Sequence, residues 1–291
     1  MYTDLFGVNR LKINLHTHTT QSDGALTPEQ AAEHYRSAGY DAIAVTDHWR
    51  YTPSGTVGGL RFLSGMELNL GGGDGASGVF HIVALGCTEA PATQRGDGLQ
   101  KTVDDVHAAG GLAVLAHPAW SLNRISQIRN VTGLEATEIF NGVSDAGESA
   151  RAYSDHFVDA CGCEGIFYPL LAVDDAHYYK GQDDLRGWIM LEGSLEDSDA
   201  QLLESVRRGR FYATQGPEVH LRVENGVAVA DCSEVSSIRF FSNLTWGAGH
   251  RHDGENLTHA ECRLSETETF IRAEVVDREG KKAWTNPVRI K

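Results

Sequence analysis

Short apolar runs alternate with amphipathic stretches through the first two thirds of this 291-residue chain, and that alternation limits the fold more than any other feature. The runs predict strands over residues 12–16, 41–46, 62–68, 80–85, 112–116, 136–140, 167–173 and 188–191. The amphipathic stretches predict helices over 28–38, 99–109, 125–130, 147–160 and 198–208. The first helix has a defined start, with Thr27 placed as N-cap, Pro28 at the first helical position and Gln30 placed for a capping box. Gly39 is placed to end it. Strands alternating with helices at this spacing imply parallel βα units, and about seven such units point to a β/α barrel over residues 1–216. An open doubly wound sheet is the competing architecture. Runs such as Asp41-Ala-Ile-Ala-Val-Thr46 lack polar alternation, as strands buried on both faces do.

The texture changes after Gln215-Gly216-Pro217. Short alternating segments at 219–223, 227–230, 237–241, 261–264, 270–276 and 283–290 are separated by turn residues, which predicts a small antiparallel β domain over 217–291. The glycine run 71–75 reads as a flexible loop. No window approaches a membrane-spanning length of apolar residues, and residues 1–10 do not read as a secretion signal, so a cytoplasmic location is the expectation. The five cysteines are odd in number and scattered, which fits a reducing compartment; Cys161 and Cys163 form a lone C-x-C pair, better read as ordinary buried residues than as half a zinc site. A formal net charge of −15 disfavours nucleic-acid polymers as partners.

Histidine is the unusual residue, at thirteen. Side chains two apart on a strand share a side, so His16 and His18 fall together where the first strand ends. Asp23 follows in a loop able to fold back over them. His48 and Glu67 end the next two strands, His81 lies on the run after the glycine loop, His117 ends another strand, and Asp175 and His177 repeat the two-apart geometry. The C-terminal strand ends of a β/α barrel form its active face. Six histidines and three carboxylates there, with no thiolate, suit two or three catalytic divalent ions, zinc, manganese or iron. Chance collection of these groups fits poorly, because burying unpartnered carboxylates is expensive.

In order, His16-Thr-His18-Thr-x-x-Ser22-Asp23-Gly24, Thr46-Asp47-His48, Gly65-x-Glu67, Ala116-His117-Pro118 and Asp174-Asp175-Ala176-His177 resemble the motifs of the PHP (polymerase and histidinol phosphatase) superfamily. The later string Arg207-Arg208-Gly209-Arg210-Phe211-Tyr212-Ala213-Thr214-Gln215-Gly216-Pro217, with Ala283-Trp284-Thr285-Asn286-Pro287, is similar to its carbaryl-hydrolase-like branch. The resemblance implies a distorted (β/α)7 barrel. It implies a first metal on His16, His18, Glu67 and Asp175, a second on His81 and His117 bridged by Glu67, and a third on Asp23, His48 and His177. Glu67, Asp175 and His177 are expected to be catalytic as well as ligating. The implied reaction is hydrolysis of a small anionic phosphate ester by a shared hydroxide, with no side-chain nucleophile. Arg50, Arg124 and Lys180 are the cations near the motifs that could bind the phosphate, and Asn141 could orient substrate or a ligand. Asp47 and Asp174 face away from the ligand side by strand alternation and suit supporting roles. The alternative chemistry is hydrolysis of a carboxylic or carbamate ester; a non-catalytic module serving a DNA polymerase is the third reading.

Overall fold

The computed structural model of the protein describes residues 1–71, 78–146, 149–178 and 180–291. Their strands form two sheets. In the larger, one stretch runs Phe211–Thr214, Trp188–Glu192, Asn9–Asn14, Ala42–Ala44, Leu60–Leu63 and Gly55–Val57. The smaller runs Leu170–Val173, Leu134–Asn141, Leu112–Leu115, Val79–Leu85 and Gly65–Gly71. Strand Asn9–Asn14 is parallel to Ala42–Ala44, which is parallel to Leu60–Leu63, and Leu134–Asn141 is parallel to both its neighbours. Alternate residues of both sheets, among them Leu11, Ile13, Val83, Val114, Leu171 and Val173, meet in one shared core. Their other faces pack on helices: Ile43 and Phe62 against Ala32 and Tyr35 of helix Pro28–Ser37, and Ile82 and Ala113 in a cluster with Val103 and Val106 of helix Leu99–Ala108. Burial on both faces accounts for the unbroken apolar runs.

The arrangement departs from seven uniform parallel units. Strand Val79–Leu85 is antiparallel to both its neighbours, and Trp188–Glu192 is antiparallel to Asn9–Asn14 and Phe211–Thr214. Hydrogen-bonded pairing among the described residues does not close into one barrel; isolated bridges, Thr17 to Ala176 and His48 to Glu67, link the two sheets. The strand expected over 62–68 divides at Ser64, with Leu60–Leu63 in one sheet and Gly65–Gly71 in the other. Gly65 permits the change of sheet: a β-carbon there would lie 2.6 Å from the Val45 carbonyl oxygen.

The first helix is capped as its sequence predicts, Gln30 N–H donating to Thr27 Oγ1 and Thr27 N–H to Gln30 Oε1. The helix expected over 147–160 is instead Asp155–Cys163. Before it, Tyr153 bridges Phe140 and Ser154 N–H donates to the Ile139 carbonyl, so the chain runs back along strand Leu134–Asn141 rather than coiling. Residues 147 and 148, and 72–75 of the glycine run, lie outside the described residues. No described helix is long and apolar enough to cross a membrane.

The C-terminal segment is antiparallel as expected, but two of its strands are much longer, Val227–Ser242 and Arg251–Arg263. Register shifts between Asp231, Val235 and Ser237 break the period-two pattern, so one strand reads as two short ones in sequence. Strand Lys282–Trp284 pairs with both Phe211–Thr214 and Phe270–Val276, which makes the C-terminal strands a continuation of the larger sheet. Trp284 is fully buried, its ring stacked over Phe140 at 6.1 Å, and its indole N–H donates to Glu274 Oε2 at 2.9 Å.

Arg272, on strand Phe270–Val276, is buried and reaches helix Asp155–Cys163 with two bonds to Asp159 of 2.6 and 2.7 Å. Removing one partner of such a pair leaves the other charge uncompensated. Arg272→Ala is therefore expected to destabilise the fold by about 3–5 kcal/mol, measured as a shift in the urea midpoint; a change near zero would show that the pair contributes nothing to joining these elements.

Candidate metal centre

The ligand-type residues gather where the two sheets approach one another. His16 and His18 lie just beyond strand Asn9–Asn14, with His18 N–H donating to the Ala176 carbonyl and Asp175 N–H to the His16 carbonyl. These two bonds tie the His16–His18 segment to the Asp175–His177 segment from opposite ends of the sequence. His117 and Asp175 hold left-handed backbones, φ 27° and 52°. Non-glycine residues in that region cost on the order of 1–3 kcal/mol and persist where surrounding bonds over-determine them. The His16 carbonyl fixes Asp175, and the buried Glu138 carboxylate accepts from the His117 N–H at 2.8 Å. Gly24 lets the Asp23 loop lie against His18: a β-carbon there would meet the His18 carbonyl carbon and oxygen at 2.6 Å.

Three groups of ligand atoms result, His16, His18, Glu67 and Asp175; Glu67, His81 and His117; and His18, Asp23, His48 and His177. In the first, His16 Nε2 lies 3.2 Å from His18 Nε2, 3.3 Å from Glu67 Oε2 and 3.1 Å from Asp175 Oδ1. His18 Nε2 lies 3.1 Å from Glu67 Oε2 and 2.9 Å from Asp175 Oδ1. A tetrahedral ion with bonds of about 2.0–2.1 Å has ligand-to-ligand edges of roughly 3.3–3.4 Å, so these atoms are spaced to share one cation. Glu67 Oε2 and Asp175 Oδ1 are buried, with no hydrogen-bond partner among the described residues. Unpartnered carboxylate oxygens in a dry interior are costly, and a divalent cation would satisfy them.

Glu67 turns its other oxygen away, Oε1 lying 2.7 Å from His81 Nδ1 and 3.5 Å from His117 Nε2. One carboxylate thus serves two groups with separate oxygens. The third group is looser: Asp23 Oδ1 is 3.4 Å from His177 Nε2 and Oδ2 is 3.8 Å from His48 Nε2, with Asp23 half-exposed. His18 approaches this group through Nδ1, 3.6 Å from Asp23 Oδ1. A neutral imidazole offers one lone pair, so His18 can serve the first group or the third but not both. Asp23, His48 and His177 would have to hold the third ion.

The supporting shell fixes the tautomers. His16 Nδ1 meets Glu138 Oε1 at 2.7 Å and His177 Nδ1 meets the Asp175 carbonyl at 2.8 Å, so each of these nitrogens carries the proton and Nε2 keeps its lone pair for the centre. Asp47 accepts from Thr19 N–H, Thr19 Oγ1 and Ser22 Oγ, which pins the loop leading to Asp23. Asp174 accepts from three backbone N–H groups at 185–187, from Asn14 and from Tyr35. Burial still pushes Asp174 up to about 6, those five bonds offsetting only part of the cost.

All nine predicted ligand residues are brought together, and seven of them line a cavity of about 260 Å³ with Trp120, Val143 and Ser144. Asn141 sits beneath it, fully buried, donating to Asp175 Oδ2 at 3.1 Å and Glu138 Oε2 at 2.8 Å. Arg50, Arg124 and Lys180 are not among the lining residues. Arg50 is exposed and points toward Gln21 in a neighbouring depression with Trp49 and Tyr51; Arg124 is exposed at the start of the short helix Ile125–Ile128, and Lys180 is exposed. Sequence reasoning missed Glu138 and Trp120. Glu138 lies three residues before Asn141 on a fully buried strand, where a carboxylate needs a partner. That was its available signal. Trp120 follows His117 by one helical-turn spacing and packs edge-on against it at 4.9 Å and against His81 at 5.6 Å. The five cysteines belong to none of the three groups.

The chain aligns over 99% of its length, and over 98% of the other, with a two-domain protein from Bacteroides vulgatus containing a predicted PHP-like metal-dependent phosphoesterase, at 16% identity and a TM-score of 0.53. The fold is shared. A protein from Bifidobacterium adolescentis named as a metal-dependent phosphoesterase aligns at 14% identity over 66% of this chain and 94% of its own, TM-score 0.46. An amidohydrolase from Chromobacterium violaceum aligns at 18% identity over 59% and 89%, TM-score 0.42. No protein-family model and no curated protein matches the sequence.

Without cations, His16 and His18 hold protons. Burial alone would lower His18, but the Asp175 and Glu67 carboxylates beside it reverse this and lift it to about 9; His16 is likewise raised, burial being outweighed by Asp175, Glu67 and Glu138. A raised histidine contributes stability that is complete below its ordinary value of 6.5 and is lost as pH climbs through about 9. Cations must displace these protons, so loading becomes easier as pH rises. Added zinc or manganese is expected to raise the melting temperature more at about pH 9 than at about pH 6, read by scanning calorimetry on chelator-treated protein; a pH-independent shift would mean that these histidines do not hold the ions.

Proposed function

We propose that this protein is a metal-dependent phosphoesterase, hydrolysing a small phosphate ester at a centre of two or three divalent cations on a distorted (β/α)7-type barrel of the PHP superfamily. The observation that carries the reading is the joining of two ligand groups through one buried carboxylate, Glu67, whose two oxygens face different histidines, with a third group beside them. Divalent cations bound there supply Lewis acidity and lower the pKa of coordinated water toward neutrality. The protein's part is to hold charge and geometry. Glu67 and Asp175 are kept ionised: burial opposes this, and the surrounding histidines, His16 foremost, outweigh it. Glu138 and Asn141 fix His16 and Asp175 from behind, and the Asp23 loop closes one side of the cavity. The name of the Bacteroides vulgatus structure supports the same class of reaction.

One observation favours a second chemistry. The rest of the lining is uncharged, with Trp120 and Val143 and no lysine or arginine among the described lining residues. A neutral carboxylic or carbamate ester fits such a wall, and the same cations could activate water toward it.

The deciding experiment is a hydrolysis screen on metal-reconstituted protein, with phosphate monoesters, phosphodiesters and carboxyl esters side by side and metal content measured by elemental analysis. At least two equivalents of metal and loss of turnover on chelation are expected. Fully active metal-free protein would refute the proposal; carboxyl ester turnover without phosphatase activity would select the second chemistry. Glu67→Gln should reduce turnover by several orders of magnitude. His252→Ala, a change to a side chain of the C-terminal segment that bonds the Gly249 carbonyl, should stay within about twofold. Equal losses in the two variants would remove the active site from this cluster.

A further inference from the structure

Beside the ligand cluster, a carboxylate that belongs to none of its groups touches two of them at once. Glu138 is 1% exposed, and its two oxygens divide between neighbours. His16 Nδ1–H donates to Oε1 at 2.7 Å, while Oε2 accepts from the His117 N–H and from Asn141 Nδ2, each at 2.8 Å. His16 belongs to the first ligand group and His117 to the second, so Glu138 spans the same two groups that Glu67 joins through its own oxygens. Asn141 passes the contact on, donating to Asp175 Oδ2 at 3.1 Å.

Strict alternation would send residues 138 and 141 to opposite faces of strand Leu134–Asn141. The register against strand Leu170–Val173 shifts between Leu171, opposite Glu138, and Ala172, opposite Phe140, which leaves Ile139 as an extra residue. A bulge of this kind re-aims the side chains around it. That accounts for Glu138 and Asn141 meeting at one cluster.

The donors decide what this position must be. The His117 N–H can only donate, and Asn141 keeps its own oxygen for the Ser144 N–H at 3.0 Å, so both require an acceptor where Oε2 stands. His16 is the one partner able to change, because a neutral imidazole carries its proton on either nitrogen. With an oxygen at Oε1, the proton stays on Nδ1. Nε2 then keeps its lone pair, 3.3 Å from Glu67 Oε2 and 3.1 Å from Asp175 Oδ1. With a donor at Oε1, the proton would move to Nε2 and bond those carboxylates in the place a cation would take.

We propose that Glu138 is a positioning residue that couples the first two ligand groups, holding the proton on His16 Nδ1 for one and the left-handed His117 backbone for the other. The inference rests on the metal-dependent reading and concerns how the centre loads, whatever ester it cleaves.

The test uses the full chain as wild type, Glu138→Gln and Glu138→Asp, with zinc as the probe. Affinities are measured by competition with a chromophoric chelator, and histidine tautomers by long-range nitrogen–proton correlation on zinc-loaded protein. Wild-type His16 is expected to carry its proton on Nδ1 and zinc on Nε2. In Glu138→Gln the carboxamide oxygen must face His117 and Asn141, which turns its NH2 toward His16. The His16 Nδ1–H signal should vanish, and affinity for one zinc equivalent should fall roughly tenfold to a hundredfold, the usual scale for the partner of a metal-bound histidine. The metal-free melting temperature should stay close to that of wild type, since every donor still finds an acceptor. Glu138→Asp, charged but a methylene shorter, should keep the Nδ1 proton and bind zinc with intermediate affinity. Zinc affinity within about twofold of wild type in Glu138→Gln would overturn the proposal, as would wild-type His16 protonated on Nε2, a result that needs no variant. Loss of every zinc equivalent with a lowered metal-free melting temperature in both variants would mark a purely structural role and overturn it too. Wild type that binds no zinc would refute the metal-dependent reading, and this proposal with it. Wild type holding at least two equivalents while Glu138→Gln holds them as tightly would refute this proposal alone.

Discussion

Two carboxylates without a lysine or arginine partner, Glu67 and Asp175, are buried at the junction of the two sheets, and the rest of the architecture answers to them. Among the described residues, the groups that ion-pair with either are histidines. Isolated carboxylates in such a place would shift toward the neutral form. Imidazoles allow two solutions: they take up protons, as the raised His16 and His18 do, or they offer lone pairs to cations shared with the carboxylates. The charge of the cluster can therefore be balanced by protons or by cations. The same buried geometry serves both states.

Around the centre, three further buried acids, Asp47, Asp174 and Glu138, each fix a different segment of chain. Asp47 holds the Thr19–Ser22 loop, Asp174 gathers the backbone at 185–187 with Asn14 and Tyr35, and Glu138 joins His16, the His117 N–H and Asn141. None is itself a ligand-group member. Their bonds convert a set of strand ends, otherwise free to fray, into a frame able to hold His117 and Asp175 in left-handed backbone conformations. The outer acids thus position the inner ones, an arrangement in which removing a supporting residue disturbs ligand geometry without touching a cation.

Much of this was legible in the sequence, and for physical reasons. Strand-end histidines two apart must share a side, and the ordered motifs contain the nine residues that the structure brings together, though His18 stands near the third group as well as the first. What was not legible belongs to context. A strand that runs antiparallel within a βα series, as Val79–Leu85 does, has the same buried composition as a parallel one. The break at Ser64 depends on the Val45 carbonyl against Gly65, a contact between distant residues. Helix Asp155–Cys163 starts late because the preceding residues pair with Phe140 and Ile139. The nearby cations Arg50, Arg124 and Lys180 were singled out by proximity in sequence, which says nothing of where an exposed side chain points.

The two halves of the cavity rest on different structural logic. The ligands follow from strand ends whose spacing the sheet ladders and the buried acids determine together, so each is constrained by several others. Trp120 lies in the turn after Pro118, and Val143 and Ser144 lie in the turn after Asn141 and Gly142, outside both sheets. A bond from Ser144 N–H to Asn141 Oδ1 couples the second turn to the cluster through a side chain. Substitutions at 120, 143 and 144 can therefore reshape what the cavity accepts without changing the charge or spacing of the ligand groups. A frame of this kind can keep its ligand groups in place while the rest of the cavity wall varies on two turns.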